Sequence, residues 1–415
     1  MMRSIYTIAI ACYGFCLRMA ALFGHRKAKQ IARGWREWPR RVEMLGKGAV
    51  WFHAASLGEF EQARPVMEAY RRQHPDQPML LTFFSPSGYE VRKDYGGADA
   101  VCYLPLDTPR NVRRFLDAVH PKMAFFVKYD IWYNYLNQLH RRHIPTYLFS
   151  AIFRPGQYFF KPWGRWFGGQ IKSCYSRIFV QNEESLHLLQ GLGISQCSIA
   201  ADTRFDRVGQ IAQKAASDSV VEQWLNATED GSIVLVAGSS WPPDESLLAR
   251  LMVEDERPMR LIVAPHEVNS EHVEQIERLF PSSLRYSQIA SGDVQPDASQ
   301  RTLIIDNVGK LSQLYRYGAI AYIGGGFGVG IHNILEAITF GLPVVFGPNY
   351  AKFQEAHDII ALGGGWSIST YEELTGVVVP LLADPARLNT PSEICREYIS
   401  SHVGGTDAIL RSLEA

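Results

Sequence analysis

From Ala49 onward, apolar positions gather into short continuous runs separated by stretches of helical period. Val50-Trp51-Phe52-His53-Ala54 predicts a buried strand, and Gly58 to Arg71, with Phe60, Ala63, Met67 and Tyr70 near 3.6 spacing, predicts a helix behind it. Runs at 79–83, 101–104, 123–127, 146–149 and 177–180 repeat the rhythm, with Ser85-Pro86-Ser87-Gly88 opening another helix. After a more polar stretch with one helical segment, the rhythm restarts at 233–237 and continues at 260–264, 303–305, 319–323 and 343–346. Runs that are apolar at every position, rather than alternating, belong to strands covered on both faces. The pattern therefore predicts an α/β chain with two Rossmann-like, doubly wound parallel-sheet domains, residues 42–206 and 231–415, joined by a connection at 207–230. Two such domains facing each other place a cleft between the carboxyl ends of both sheets, where ligands bind. The last helix is expected to pack back on the N-terminal domain.

Residues 1–41 follow a different pattern. Ile5 to Phe23 is apolar apart from Arg18 and a few small or weakly polar residues. Arg26, Lys27, Lys29, Arg33, Arg36, Arg40 and Arg41 follow it, with Glu37 the one acid among them, and only Arg3 precedes it. A secretory signal carries its charge before the apolar core, so the polarity is wrong for one. The excess of cations after Phe23 puts the rest of the chain on the cytoplasmic side. Three structures fit: a short spanning anchor, a basic amphipathic helix lying on anionic lipid, or a buried first helix with a solvated basic tail. Trp35 and Trp38 sit where an interfacial belt would place them.

Composition narrows the function. The 415 residues hold 42 basic and 42 acidic side chains, and this balance excludes a nucleic-acid binder held by bulk charge. The six cysteines form no CxxC pair, which argues against a disulfide framework or a zinc site and fits a reducing compartment.

Two stretches carry chemistry. In Ile323-Gly324-Gly325-Gly326-Phe327-Gly328-Val329-Gly330-Ile331-His332-Asn333-Ile334-Leu335-Glu336 a strand runs into a glycine-rich loop, and a helix is predicted from Asn333 to Phe340, ended by Gly341. Glycines let backbone N–H groups approach an anion, and a helix start adds partial positive charge. The spacing is not G-x-G-x-x-G, and no P-loop lysine follows, so a phosphate-bearing ligand fits better than a dinucleotide or an NTP. Asn333 and Glu336 share a face. They serve either a sugar hydroxyl or the helix start itself. In His53-Ala54-Ala55-Ser56-Leu57-Gly58-Glu59, Glu59 falls in the first helical turn beyond the first strand, as a general base or as a helix-start charge. Ser56 with His53 lacks the G-x-S-x-G of a hydrolase. Lys128-Tyr129-Asp130 and Ser239-Ser240-Trp241 follow strands and are placed to line the ligand site. His266-Glu267 with His272 does not match H-E-x-x-H, so no metal is assigned.

The stretches HAASLGE, TRFD at 203–206, GSSWPPDE at 238–245 and GGGFGVGIHNILEAITFGLPVVFGPNYAKFQEA at 324–356 resemble, in this order, the 3-deoxy-D-manno-octulosonic acid (Kdo) transferases of lipopolysaccharide synthesis. The resemblance implies a GT-B fold, CMP-Kdo as donor, a lipid A precursor as acceptor, and attachment to inner-membrane lipids at the cytoplasmic face. It implies that Glu59 is the catalytic base and that Gly326, Gly328, Gly330, Asn333 and Glu336 hold the nucleotide, with Ser239, Ser240 and His266 also on the donor. Ser56, Gly58, Lys128 and Asp130 are the implied acceptor or cleft residues. The chain departs from the family at Lys128-Tyr129-Asp130, where Glu-x-Glu is common, and at Ala264-Pro265-His266, where Pro-Arg-His is common. No Asp-x-Asp motif is present, which suits a monophosphate leaving group without a metal, and no cofactor is implied. A GT-B enzyme acting on a UDP-sugar, whether a transferase or an epimerase, is the alternative.

Overall fold

The structure is a computed structural model that describes residues 2–161, 164–227 and 231–413. Two compact units make up the chain, one of Met1–Arg207 with His402–Ala415 and one of Val208–Ser401. In the first, β1 (Val50–Ala54), β2 (Met79–Phe83), β3 (Ala100–Tyr103), β4 (Met123–Val127), β5 (Thr146–Ala151), β6 (Arg177–Val180) and β7 (Cys197–Ile199) form one sheet in the order β3-β2-β1-β4-β5-β6-β7. In the second, β8 (Ile233–Ser240), β9 (Met259–Pro265), β10 (Ser283–Arg285), β11 (Thr302–Ile304), β12 (Ile320–Ile323), β13 (Val344–Phe346) and β14 (Gly365–Ser367) run in the order β10-β11-β9-β8-β12-β13-β14. Every pairing is parallel. The strands missed by the sequence pattern are β7, β10 and β14, whose sequences Cys-Ser-Ile, Ser-Leu-Arg and Gly-Trp-Ser hold no run of adjacent apolar residues.

All five residues of β1 are buried, because both faces of the sheet are covered. Phe52 stacks on Phe125 with ring centroids 4.6 Å apart, while Trp51 packs on the other face against Phe126 at 5.3 Å and Phe115 at 5.1 Å. Each sheet reverses its winding beside its first strand, between β1 and β4 and between β8 and β12. At such a point the flanking loops diverge and leave a crevice at the carboxyl ends of the strands.

The polar stretch read as a connection carries two helices, Arg204–Lys214 and Ser219–Leu225. Trp224 in the latter is fully buried beneath the Arg260 guanidinium, 4.4 Å from its ring, so this segment is part of the second unit's core. At the other end, Gly405–Arg411 returns to the first unit, where Ile409 and Leu410 join the cluster of Phe60 and Ala63. Asp206 fastens the return by accepting hydrogen bonds from the Gly404 and Thr406 backbone.

The helix Met2–Leu22 is long and apolar enough to cross a membrane by length and composition. It lies along the first unit. Tyr6 donates to Asp107 at 2.7 Å, Gly14 seats against Leu106, and Leu17 enters the core. Its outer face leaves Ile5, Ile8, Phe15 and Leu22 exposed. The next helix, Arg26–Arg41, buries Ala28, Ile31, Gly34 and Trp38. Trp38 stacks on Phe115 at 5.3 Å, so it is a core residue and not part of an interfacial belt. Trp35 is half-buried and donates to the Leu104 carbonyl at 3.0 Å.

Gly34 allows this helix its close approach, since a Cβ there would lie 2.0 Å from the Tyr103 ring. On an exposed helix face, Gly→Ala would stabilise by up to about 1 kcal/mol. Here Gly34→Ala is expected to destabilise by about 1–3 kcal/mol through overpacking, read as a lowered midpoint in chemical denaturation. A raised midpoint would show that the helix is not seated on Tyr103.

Candidate active site

In the first unit, β1 ends at Ala54 and the helix Leu57–Gln73 begins three residues later. Glu59 lies in its first turn, 7% exposed, with its Oε2 accepting from the Ser56 backbone N–H at 3.1 Å. This is one arm of a capping box and follows from the Ser-Leu-Gly-Glu spacing. Burial pushes the Glu59 carboxyl up; the Lys128 cation and the Ala55 and Ser56 backbone pull it back part of the way. Lys128 follows β4 with φ +61°, a left-handed backbone that a non-glycine residue adopts at a cost. That turn brings Lys128 and Asp130 to the end of β1.

Asp130 is buried, with Oδ2 3.5 Å from His53 Nε2. His53 Nδ1 stands 3.1 Å from the Thr82 carbonyl, which only accepts, so Nδ1 carries the hydrogen and Nε2 presents a lone pair. Burial lowers the His53 pKa to about 3, so the ring is neutral. Burial and then the neighbouring Glu59 charge push the Asp130 carboxyl well up. The contact is therefore a carboxyl whose burial favours its protonated form facing a neutral imidazole, rather than a salt bridge. Lys128 pulls both carboxyls down, the backbone N–H groups of the helix start act on Glu59, and Asp130 is pushed up the further of the two. Gly58 stands next to Glu59, and a Cβ there would meet nothing within 4 Å. Packing does not require this glycine, and it leaves open space beside the carboxylate.

In the second unit, Ser239 and Ser240 are the last residues of β8. Ser239 has φ +52°, and the register with β9 shifts across it. The Ser240 hydroxyl donates to Glu245 at 2.9 Å, and Glu245 faces His272 Nε2 at 3.0 Å. His272 Nδ1 lies 2.9 Å from the Glu267 carbonyl, so it carries a hydrogen. Asp244 accepts from the Trp241 N–H and the Gly325 N–H, each at 3.0 Å, and from the Tyr322 hydroxyl at 2.9 Å. It thereby ties the end of β8 to the glycine loop after β12.

The loop's glycines have two kinds of role. At Gly324 a Cβ would lie 2.2 Å from the Ser239 carbonyl, and at Gly326 it would lie 2.6 Å from the Gly347 backbone. Gly330 has φ +129°. These are demands of the fold. At Gly328 a Cβ would make only an ordinary contact at 3.7 Å, and its backbone is spent within the loop: the N–H donates to the Gly325 carbonyl at 3.0 Å and the carbonyl accepts from Asn349 at 2.7 Å. A pocket of about 250 Å³ adjoins it, lined by Trp241, Pro243, Asp244, Gly325, Phe327 and Val329.

His266, exposed at the end of β9, is stacked between Trp241 at 4.8 Å and His332 at 4.3 Å. Trp241 Nε1 donates to His332 Nε2 at 3.3 Å. Burial, then the neighbouring His266, lowers the His332 pKa to about 4. The expected helix from Asn333 to Phe340 is reduced to Leu335–Ile338, four residues, so a helix dipole contributes little to anion binding here. Asn333 explains the late start: its Oδ1 takes the Leu335 N–H at 3.2 Å and its Nδ2 donates to Glu336 at 3.0 Å.

Ser56, Gly58, Glu59, Lys128 and Asp130 thus meet at the winding reversal of the first sheet. Ser239, Ser240, His266, Gly326, Gly328, Gly330, Asn333 and Glu336 gather around that of the second. Sequence reasoning missed Asp244, His332 and the role of His53 beside Asp130. Asp244 had a signal: an acid three residues into the stretch Trp241-Pro242-Pro243-Asp244, the place where a capping carboxylate sits.

The family model described as 3-Deoxy-D-manno-octulosonic-acid transferase (kdotransferase) matches residues 28–207. The 3-deoxy-D-manno-octulosonic acid transferase of Bordetella pertussis is 26% identical over 99% of this chain and 99% of its own length. That of Aquifex aeolicus is 26% identical over 84% of this chain and 90% of its own. Among solved structures, UDP-GlcNAc 2-epimerase from Neisseria meningitidis, bound to UDP-GlcNAc, aligns with TM-score 0.59 at 14% identity, covering 89% of this chain and 99% of that one. The epimerase from Methanocaldococcus jannaschii aligns with TM-score 0.54 at 12% identity, covering 89% and 99%. At such identities these structures support the fold alone. The two parallel sheets have the GT-B type of fold, and the sequence relatives are glycosyltransferases. Within that class, the chain is similar to the 3-deoxy-D-manno-octulosonic acid (Kdo) transferases, by the family model over residues 28–207 and by relatives 26% identical over most of its length.

The geometry around Glu59 fixes the sign of a titration. Lys128→Met removes the cation that favours the ionised carboxylate, so the Glu59 midpoint is expected to move to higher pH. NMR titration of protein carrying ¹³C-labelled glutamate reads this directly. An unmoved or lowered midpoint would mean that Lys128 does not set the charge of Glu59.

Proposed function

We propose that this chain transfers Kdo from CMP-Kdo to a lipid A precursor at the cytoplasmic face of the inner membrane, by a single displacement with inversion. The observation that carries the reading is Glu59: a buried carboxylate at a winding reversal, kept charged by Lys128 and backbone N–H groups, beside a glycine that leaves room for a substrate. Partial desolvation raises its proton affinity, as a general base requires. Glu59 takes the proton of an acceptor hydroxyl. The hydroxyl oxygen then forms a bond to the anomeric carbon of Kdo, and the bond from that carbon to the phosphate oxygen breaks, releasing CMP. In the second unit, the glycine loop of Gly326, Gly328 and Gly330, with Ser239, Ser240 and His266, takes the phosphate. Asn333 and Glu336 take the ribose.

The neutral His53–Asp130 pair supports inversion. Burial and the Glu59 charge favour the protonated form of Asp130, and a protonated carboxyl is a poor nucleophile, which weighs against a covalent Kdo intermediate on it. The apolar outer face of Met2–Leu22 and the basic helix after it support attachment to the membrane surface. The helix docks along the first unit from Tyr6 to Leu17, which favours an interfacial position over a free span.

Glu59→Gln is expected to cut turnover by about two to four orders of magnitude, the range for loss of a general base. CMP-Kdo affinity should change little, because the donor contacts come from the second unit. Steady-state kinetics and a donor titration on the same preparation separate the two effects. Near-normal turnover in a folded Glu59→Gln protein would remove Glu59 from the mechanism.

A further inference from the structure

The two N-terminal helices enclose a feature that membrane attachment by apolar side chains does not need. Between Met2–Leu22 and Arg26–Arg41 lies an open cavity of about 690 Å³, lined by Arg18, Ala21, Leu22, Lys29, Ala32, Arg33, Trp35 and Arg36. Four of its eight lining residues are cations, in a chain whose basic and acidic residues balance at 42 each. Lys29, Arg33 and Arg36 follow one another at helical spacing, so they form a stripe along one side of their helix. Arg18 reaches in from the other helix with its guanidinium 5.9 Å from the Trp35 ring, and the Trp35 indole is itself fixed by its bond to the Leu104 carbonyl. One acid offsets this charge: Glu37 takes Arg33 at 2.7 Å. Arg18, Lys29 and Arg36 make no ion pair with another side chain among the described residues.

The remaining wall is apolar, formed by Ala21, Leu22, Ala32 and Trp35, and it continues outward onto Leu22 and Phe23, 78% and 85% exposed. Cations on one side and apolar surface on the other suit an anionic group carried on a hydrocarbon tail. Arginine favours phosphate, because its planar fork donates two parallel hydrogen bonds to phosphate oxygens. The volume exceeds that of a bare phosphate and leaves room for a glycerol or sugar bearing it.

We infer that this cavity is a binding site for the phosphate headgroup of an amphiphile, with Arg18, Lys29 and Arg36 on the phosphate and the Leu22 side of the wall on the start of its tail. The phosphate belongs either to a bilayer phospholipid or to a phosphorylated sugar lipid. In both cases binding is a one-to-one event in a formed cavity, distinct from diffuse attraction of a basic helix to a charged surface. A phospholipid in this site is independent of the sugar-transfer reading, whereas a phosphorylated sugar lipid in it rests on that reading, and the two arms of the test separate these cases.

The test is a calorimetric titration of the full-length protein in a neutral maltoside detergent. One arm uses dihexanoyl phosphatidic acid, a second uses glucosamine 1-phosphate, and dihexanoyl phosphatidylcholine is the zwitterionic control. Saturable one-to-one binding of at least one phosphate monoester is expected, and the tighter arm names the source. R18Q/K29Q should weaken it about tenfold or more, as loss of two charge-assisted contacts does. R26Q/K27Q removes the same charge, from the second helix outside the cavity, and should leave the affinity within about twofold. Both pairs of side chains are exposed, so the fold is kept, and an unchanged thermal midpoint verifies this. Absence of saturable binding in both phosphate arms, or equal weakening by the two double variants, would overturn the inference.

Discussion

Covering both faces of a parallel sheet is the constraint from which the rest of this structure follows. Once β1, β2 and β4 are buried between helices, their side chains must be apolar or fully partnered, and polar chemistry is pushed to the strand ends. His53 shows the rule inside a strand: it is buried in β1, its Nδ1 is satisfied by Thr82, and burial keeps it uncharged. Lys128 and Ser239 show it at the ends. Each is a non-glycine residue with positive φ at the carboxyl end of a strand beside a winding reversal. Strain tolerated in equivalent places of two separate sheets points to a common reason, the need to turn the chain at once so that the next residues face the crevice.

Charge within the first site follows from the same burial. Two neighbouring carboxyls cannot both ionise away from water, and their surroundings decide between them. Glu59 has Lys128 and the backbone N–H groups of a helix start, whereas Asp130 faces a lone pair of neutral His53. The family commonly has Glu-x-Glu where this chain has Lys128-Tyr129-Asp130. With Lys128 in place of the first carboxylate, the local charge changes from repulsive to supportive of an ionised Glu59. The departure is consistent with an intact base and bears on its proton affinity rather than on its presence.

Much of this was legible in the chain. Unbroken apolar runs revealed eleven of the fourteen strands among the described residues, because burial on both faces removes the alternation that would otherwise confuse them with exposed strands. Glu59 was legible because a Ser-Leu-Gly-Glu stretch after a strand places its acid in a first turn. The glycine loop was legible as a loop, but not which glycine does what. Gly324 and Gly326 answer to backbone contacts with segments 85 and 21 residues away in sequence, from Ser239 and Gly347, and no local pattern carries such contacts. The helix expected from Asn333 was cut short by the residue taken as its start, since the Asn333 side chain caps a turn two residues later. The 207–230 stretch read as a connection because it is polar, while its one aromatic residue, Trp224, anchors it beneath Arg260. Trp38 was assigned to an interface by its place after a basic run, and packing on Phe115 decided otherwise.

The central claim is a single displacement driven by one ionised carboxylate beside a neutral one. It is tested most directly by the anomeric configuration of the Kdo linkage, determined by NMR on the product of incubating the protein with CMP-Kdo and a tetraacylated lipid A precursor. The account predicts a linkage inverted relative to the donor, with no Kdo attached to the protein when the reaction is quenched in mid-course. A retained configuration, or a Kdo adduct on Asp130, would contradict it.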